Sequence, residues 1–122
     1  MQNRAAQTYG RTAQATTNPR DLEASLLIRA ASKLQGHKDN YAGLTDELRA
    51  SLQFNRQLWT LFTTSVTRED NPLPAAVRQN IANLGLFIFT QTISMIQELA
   101  PEKLNALIAI NREIAAGLRG NP

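Results

Sequence analysis

Chemistry needs groups that can donate, accept or attack, and this chain of 122 residues offers few of them. It has ten carboxylates, one histidine and no cysteine. Thiol nucleophiles, disulfides and thiolate metal sites are excluded, and the lone His37 rules out a multi-histidine metal site within one chain. Two neighbouring carboxylates could serve as paired acid and base, as in glycoside hydrolysis. The pairs available are Asp21 with Glu23, Asp46 with Glu47, and Glu69 with Asp70. The first two, like Glu102, fall where helices are expected to begin and where the helix dipole favours negative charge. The third lies in a loop ahead of Pro72-Leu73-Pro74. No motif with a catalytic mechanism accompanies them, so the reading is a protein that is not an enzyme, with no cofactor or metal. His37, between Gly36 and Lys38, reads as a surface histidine at a helix end.

Arginines bind phosphate, so their distribution bears on nucleic-acid binding. The net charge is +3, and all of that excess lies in the first twenty residues: Arg4, Arg11 and Arg20, with no acid among them. Residues 21–122 carry ten basic and ten acidic side chains. Three arginines over twenty residues, with no aromatic-rich strand motif, glycine loop or zinc spacing, read as a solvated arm or helix face rather than an RNA-binding patch.

Two polar residues interrupt apolar stripes. Asn55 and Asn111 are each followed by arginine, in Phe54-Asn55-Arg56 and Ile110-Asn111-Arg112. A buried asparagine must find hydrogen-bond partners and can fix the register between helices, which is the role expected of both. The large apolar side chains gather in two places. Trp59 and Phe62 lie on a regular stripe and read as core. Leu86, Phe87 and Phe89 sit in a segment that is apolar on most sides, and the surplus suggests a groove for an amphipathic helix.

The elements that position these residues all read as helix, with glycine and proline as punctuation and no β-alternation. Residues about 2–16, with Ala5, Ala6, Tyr9 and Ala13, form a thin stripe weakened by Gly10 and several threonines. A second helix starts at Asn18-Pro19, repeats Leu22, Leu26, Ala30 and Leu34, widened by Leu27 and Ala31, and is expected to stop at Gly36. Residues 37–43 form a connector, and Thr45 caps a third helix. The third stripe is the most regular: Leu44, Leu48, Leu52, Asn55, Trp59, Phe62, Val66. Thr67 to Asn71 break it, and Pro74 begins a fourth helix. One face of that helix carries Val77, Ile81, Leu84, Ile88, Met95 and Leu99; a second carries Ala82, Leu86, Phe89, Ile93 and Ile96. Gly85 costs roughly 1 kcal/mol in a helix interior, and its expected use is the close approach of a neighbouring backbone. Pro101-Glu102 opens a last helix with the stripe Leu104, Leu107, Ile108, Asn111, Ile114, Ala115, Leu118.

The whole chain, residues 1–122, is expected to form one domain: an all-α, compact antiparallel bundle of four to five helices, with residues 1–17 a mobile or peripheral first helix. The apolar run Leu86-Phe87-Ile88-Phe89 is far short of the ~20 residues a membrane span needs. No secretory core follows Met1-Gln2-Asn3-Arg4, so no signal peptide is expected.

The order of these blocks resembles the FlaF family of flagellar biosynthesis regulators. The resemblance rests on Tyr9-Gly10-Arg11, Pro19-Arg20-Asp21-Leu22-Glu23-Ala24, Asn55-Arg56-Gln57-Leu58-Trp59-Thr60-Leu61-Phe62 and Asn71-Pro72-Leu73-Pro74. It continues through Asn80-Ile81-Ala82-Asn83-Leu84-Gly85-Leu86-Phe87 and Ile110-Asn111-Arg112-Glu113-Ile114-Ala115-Ala116-Gly117-Leu118. The resemblance implies a cytoplasmic protein that promotes flagellin synthesis and export by binding flagellin as a secretion chaperone. It also implies the FlbT regulator and the flagellar export apparatus as partners. On that reading Tyr9, Leu86, Phe87 and Phe89 are the contact candidates, with Arg11 at the rim, and truncating Phe87 is expected to weaken flagellin binding. The alternatives are a post-transcriptional regulator acting on flagellin mRNA, directly or with FlbT, and a self-associating bundle whose surplus apolar face is a homodimer seam.

Overall fold

The computed structural model describes residues 19–120, and over them the chain is all helix and turn. In chain order the elements are α1 (Pro19–Asp39), α2 (Asp46–Val66), α3 (Ala75–Gln97), a 3-10 turn (Pro101–Lys103) and α4 (Leu104–Leu118). The expected helix over residues 2–16, the Asn18 cap and the candidates Tyr9 and Arg11 lie outside the described residues. No helix among the described residues is long and apolar enough to cross a membrane.

In α1 the register differs from the expected one. The buried residues are Ala24, Leu27, Ala30, Ala31 and Leu34, whereas Leu22 is exposed and Leu26 only half-buried. The small residues explain the shift. α1 packs most extensively on α4, and alanines at the seam let two helix axes approach closely. The helix also runs past Gly36 to Asp39. Glycine in a helix interior costs about 1 kcal/mol, which tertiary contacts can outweigh. The last turn is held by His37, whose Nε2 lies 3.0 Å from the Ser51 hydroxyl of α2. The left-handed turn residue is Gly43, at φ 79°, rather than Gly36.

α2 follows its sequence pattern closely. The Thr45 hydroxyl accepts a 3.0 Å hydrogen bond from the Leu48 amide and caps the helix. Leu48, Leu52, Asn55, Trp59, Phe62 and Val66 are all buried, and Leu44 packs against them half-buried. Beyond Val66 the loop folds on Asn71. Its amide donates to the Ser65 carbonyl and hydroxyl, and its oxygen accepts from the Leu73 amide. Pro74 is the residue before α3, with extended backbone, rather than its first helical residue.

α3 packs chiefly on α2 and only sparsely on α4. At Gly85 an added Cβ would fall inside the Thr63 methyl group, with the Trp59 ring also within contact. The close approach expected there is therefore made by side chains of α2, not its backbone. Lys103 closes the α3–α4 corner, its Nζ donating to the Ser94 and Glu98 carbonyls at the end of α3, where the dipole favours a cation. At the opposite corner Arg119 donates to the Ser25 hydroxyl at 3.1 Å, which fixes α4 antiparallel to α1.

Candidate functional site

Two polar clusters join the helices before any groove is formed. The first is buried. Trp59 Nε1 donates to Asn111 Oδ1 at 2.8 Å, and Asn111 Nδ2 donates to Asn55 Oδ1 at 2.6 Å. All three residues are fully buried, so α2 and α4 can satisfy these groups only in one register. Asn55 Nδ2 is the one end of this ladder without a hydrogen-bond partner among the described residues. The second is the His37–Ser51 pair, which makes His37 a partly buried tie between α1 and α2 rather than a free surface group. A serine beside a histidine is where acyl-transfer sites begin, but such a site also needs a group to orient the imidazole. His37 has no carboxylate partner among the described residues.

The carboxylate pairs do not converge. Among the described residues no cluster of histidine, aspartate and glutamate could hold a metal ion. Asp46 and Glu47 lie exposed in the first turn of α2. Asp70 pairs with Arg68 at 3.1 Å on the surface, and that hydrogen bond and charge hold its carboxyl below the usual carboxylate range. Glu23 is different. It is half-buried at the end of the bundle, and burial pushes its carboxyl up, partly offset by the charge of Arg20.

A broad recess lies between α2 and α3. It is a groove of about 700 Å³ lined by Arg56, Gln57, Thr60 and Leu61 from α2 and by Phe89 and Ile93 from α3. Its origin is the close seam beneath it. α3 buries a narrow stripe of Ile81, Gly85, Ile88, Thr92 and Met95. With the axes drawn together at Gly85, the apolar residues flanking that stripe are left as walls. Leu61 is 67% exposed and Ile93 55% exposed; Leu86, also 67% exposed, lies one turn before Phe89, beyond the lining. Arg56 is the sole charged side chain in the lining, so one end of the groove is positive.

The sequence candidates separate on this geometry. Phe89 and Ile93 line the groove from α3, and Leu86 and Ile96 continue the same helix face on either side of them. Phe87 is also exposed, but at ~100° per residue it stands on the far side of the helix from Phe89 and outside the groove. The residues not expected from the sequence are Leu61 and Ile93 as walls and Thr63 as the partner of Gly85. Leu61 left one trace: an apolar residue off the α2 stripe, next to Phe62, which is on it.

Among the described residues, Leu61, Leu86 and Ile93 leave apolar surface exposed along one helix pair. The chain belongs to the family of flagellar protein FlaF, whose model matches residues 5–118. No curated protein and no solved structure matches it.

Proposed function

We propose that the protein binds flagellin in the cytoplasm before export, as a secretion chaperone, and that the α2–α3 groove is where it does so. The family membership supports a flagellar role. The observation that carries the site is the exposed apolar surface of Leu61 and Ile93 in a groove with a positive end, continued along α3 by Leu86. Such a groove suits an amphipathic helix that lays down its apolar stripe and offers a carboxylate to Arg56. Terminal helices of an unassembled flagellin are segments of this kind: they pair in the filament and would aggregate if left exposed. Affinity comes from apolar area removed from water, at about 25 cal/mol per Å² before the cost of ordering the client.

Calorimetric titration with monomeric flagellin at two salt concentrations tests the reading. The expected result is one saturable site with a negative heat-capacity change and a weak salt dependence. Absence of binding by the intact protein would overturn it. The surplus face would then be a self-association seam, or flagellin control would run through FlbT and the mRNA.

A further inference from the structure

The balance of charge in residues 21–122 conceals a separation along the helices. No carboxylate occurs from residue 24 to 38 or from residue 48 to 68, although these stretches carry Arg29, Lys33, Lys38, Arg49, Arg56 and Arg68. The acids of α1 and α2 stand at the helix ends instead: Asp21 and Glu23, Asp39, Asp46 and Glu47. The middle of the α1–α2 hairpin therefore carries cations with no counter-charge of its own.

The fold places four of these cations on the two edges of one strip. Asn55 and Trp59 turn one side of α2 toward α4. At ~100° per residue the opposite side presents Ala50, Gln53, Gln57 and Thr64, all exposed and uncharged. Arg49 and Arg56, about two turns apart and both exposed, border this strip on the side of α3. On the side of α1 the border is Phe54, half-buried, with Arg29 and Lys33 over its ring. The Arg29 guanidinium carbon lies 5.9 Å and the Lys33 ammonium 4.9 Å from the ring centroid. That contact holds two long side chains in place, so a partner has less of their freedom to remove. None of the four cations has an ion-pair partner among the described residues. Like charges four residues apart on a helix repel, so Arg29 and Lys33 are a cost to the free protein that an anionic partner relieves.

We infer that this strip is a second docking surface and that its occupant is an acidic helix of a protein partner. The inference stands apart from the flagellin reading: the apolar walls Leu61, Phe89 and Ile93 take no part in it, although the two surfaces meet at Arg56. Charge complementarity sets the sign of the partner. Spacing sets its form. Arg29 and Lys33 are separated by about 6 Å along α1, the interval between carboxylates at i and i+4 of a facing helix. Arg49 and Arg56 extend over about 10 Å on the other edge, so a helix of about three turns meets both borders. Ala50 and the flexible glutamines between them let its backbone approach. Phe54 argues against single-stranded RNA. Its ring is taken by the two cations, and the strip carries no other aromatic side chain on which bases would stack.

The test uses the full chain and two labelled probes, titrated by fluorescence anisotropy at low and high salt. One is a helical peptide of alanine and glutamine with glutamates at i, i+4 spacing; the other is an oligouridine. The glutamate peptide is expected to bind, more weakly at high salt, and its lysine-substituted counterpart to fail. Arg29→Glu with Lys33→Glu should weaken peptide binding by about tenfold or more. Arg49→Glu, an exposed change outside the Phe54 contact, should weaken it in the same direction. The exchange Arg29→Lys with Lys33→Arg keeps both charges and should bind as the original does. Circular dichroism and melting show that each variant is folded. Oligouridine bound as tightly as the peptide, binding of neither probe, or peptide binding indifferent to the reversals would overturn the proposal. Calorimetric flagellin binding should persist in the Arg29, Lys33 reversal; its loss there would merge the two surfaces and overturn the assignment of a second one.

Discussion

The two helix pairs of this bundle were built from similar amounts of apolar sequence and reached opposite outcomes. α1 and α4 meet along small residues, Ala24, Ala30, Ala31 and Ala115, and bury their leucines beside them. α3 meets α2 along an equally narrow seam centred on Gly85, but it carries more large apolar side chains than the seam can cover. The α1–α4 pair spends most of its apolar surface on its own fold, with Leu22 the exception at 56% exposed. The α2–α3 pair retains a stripe from Leu86 to Ile96 in water. A helix that is apolar on most sides must either be surrounded or serve a partner, and α3 is not surrounded by the described residues.

The largest effect should come from the closed side. Asn111→Ala strands the Trp59 indole N–H and the Asn55 carbonyl in the core. At about 1–3 kcal/mol for each buried group left unpaired, the loss should approach 3–5 kcal/mol in urea unfolding. A loss below 1 kcal/mol would show that the ladder is incidental to register. Replacing Asn55 and Asn111 together by leucine separates register from binding. If structure and stability survived while flagellin binding vanished, the structural role assigned to the two amides would fail.

The seam under the groove comes next. Gly85→Ala adds a Cβ where the Thr63 methyl already stands. Overpacking of this kind costs about 1–3 kcal/mol, against about 1 kcal/mol gained from helix propensity. We expect a net loss, with α3 displaced from α2 and the groove distorted. Thr63→Ser removes the obstructing methyl and keeps the hydroxyl that donates to the Trp59 carbonyl. The double variant should recover the lost stability, and failure to recover would place the strain elsewhere.

The open side should behave in the reverse manner. Leu86→Ser and Ile93→Ser alter exposed residues, so melting should change little, within about 0.5 kcal/mol. Flagellin affinity should fall by about tenfold each, as expected when ~1–2 kcal/mol of apolar contact is lost. Phe87→Ala provides the contrast. It removes an equally conspicuous side chain from the other side of α3, so the groove geometry predicts no change in affinity. Weakened binding in that variant would restore Phe87 as a contact and move the site.

The smallest effect concerns α1. Gly36 lies inside the helix with nothing near its missing Cβ. Gly36→Ala should therefore stabilise the protein by about 0.5–1 kcal/mol, measurable as a raised midpoint in urea.

Much of the scaffold was legible in the chain because local rules act at short range. Thr45 followed by Asp46 and Glu47 marks a helix start, and the three-four spacing from Leu44 to Val66 needs no knowledge of what lies opposite. Asn55 and Asn111 were conspicuous as polar breaks in apolar stripes. The register of α1 was harder to read, because leucines at Leu22 and Leu26 compete with alanines at Ala24 and Ala31. Hydrophobicity favours the first set, and close helix contact favours the second.

The amino-acid sequence by itself determined that the chain is helical, where α2 begins and ends, and that α3 carries apolar surface to excess. Periodicity, caps and prolines are properties of consecutive residues. Only the tertiary structure decided which part of that excess stays exposed, because exposure depends on which helix covers which face. It set Leu61 beside Phe89 and Ile93, turned Phe87 away from them, and opened a cavity around Glu23. It also paired Asn111 with Trp59, fifty-two positions apart. No spacing rule reaches that far: such pairs are chosen by the packing of whole helices, after each helix has already formed its own stripe.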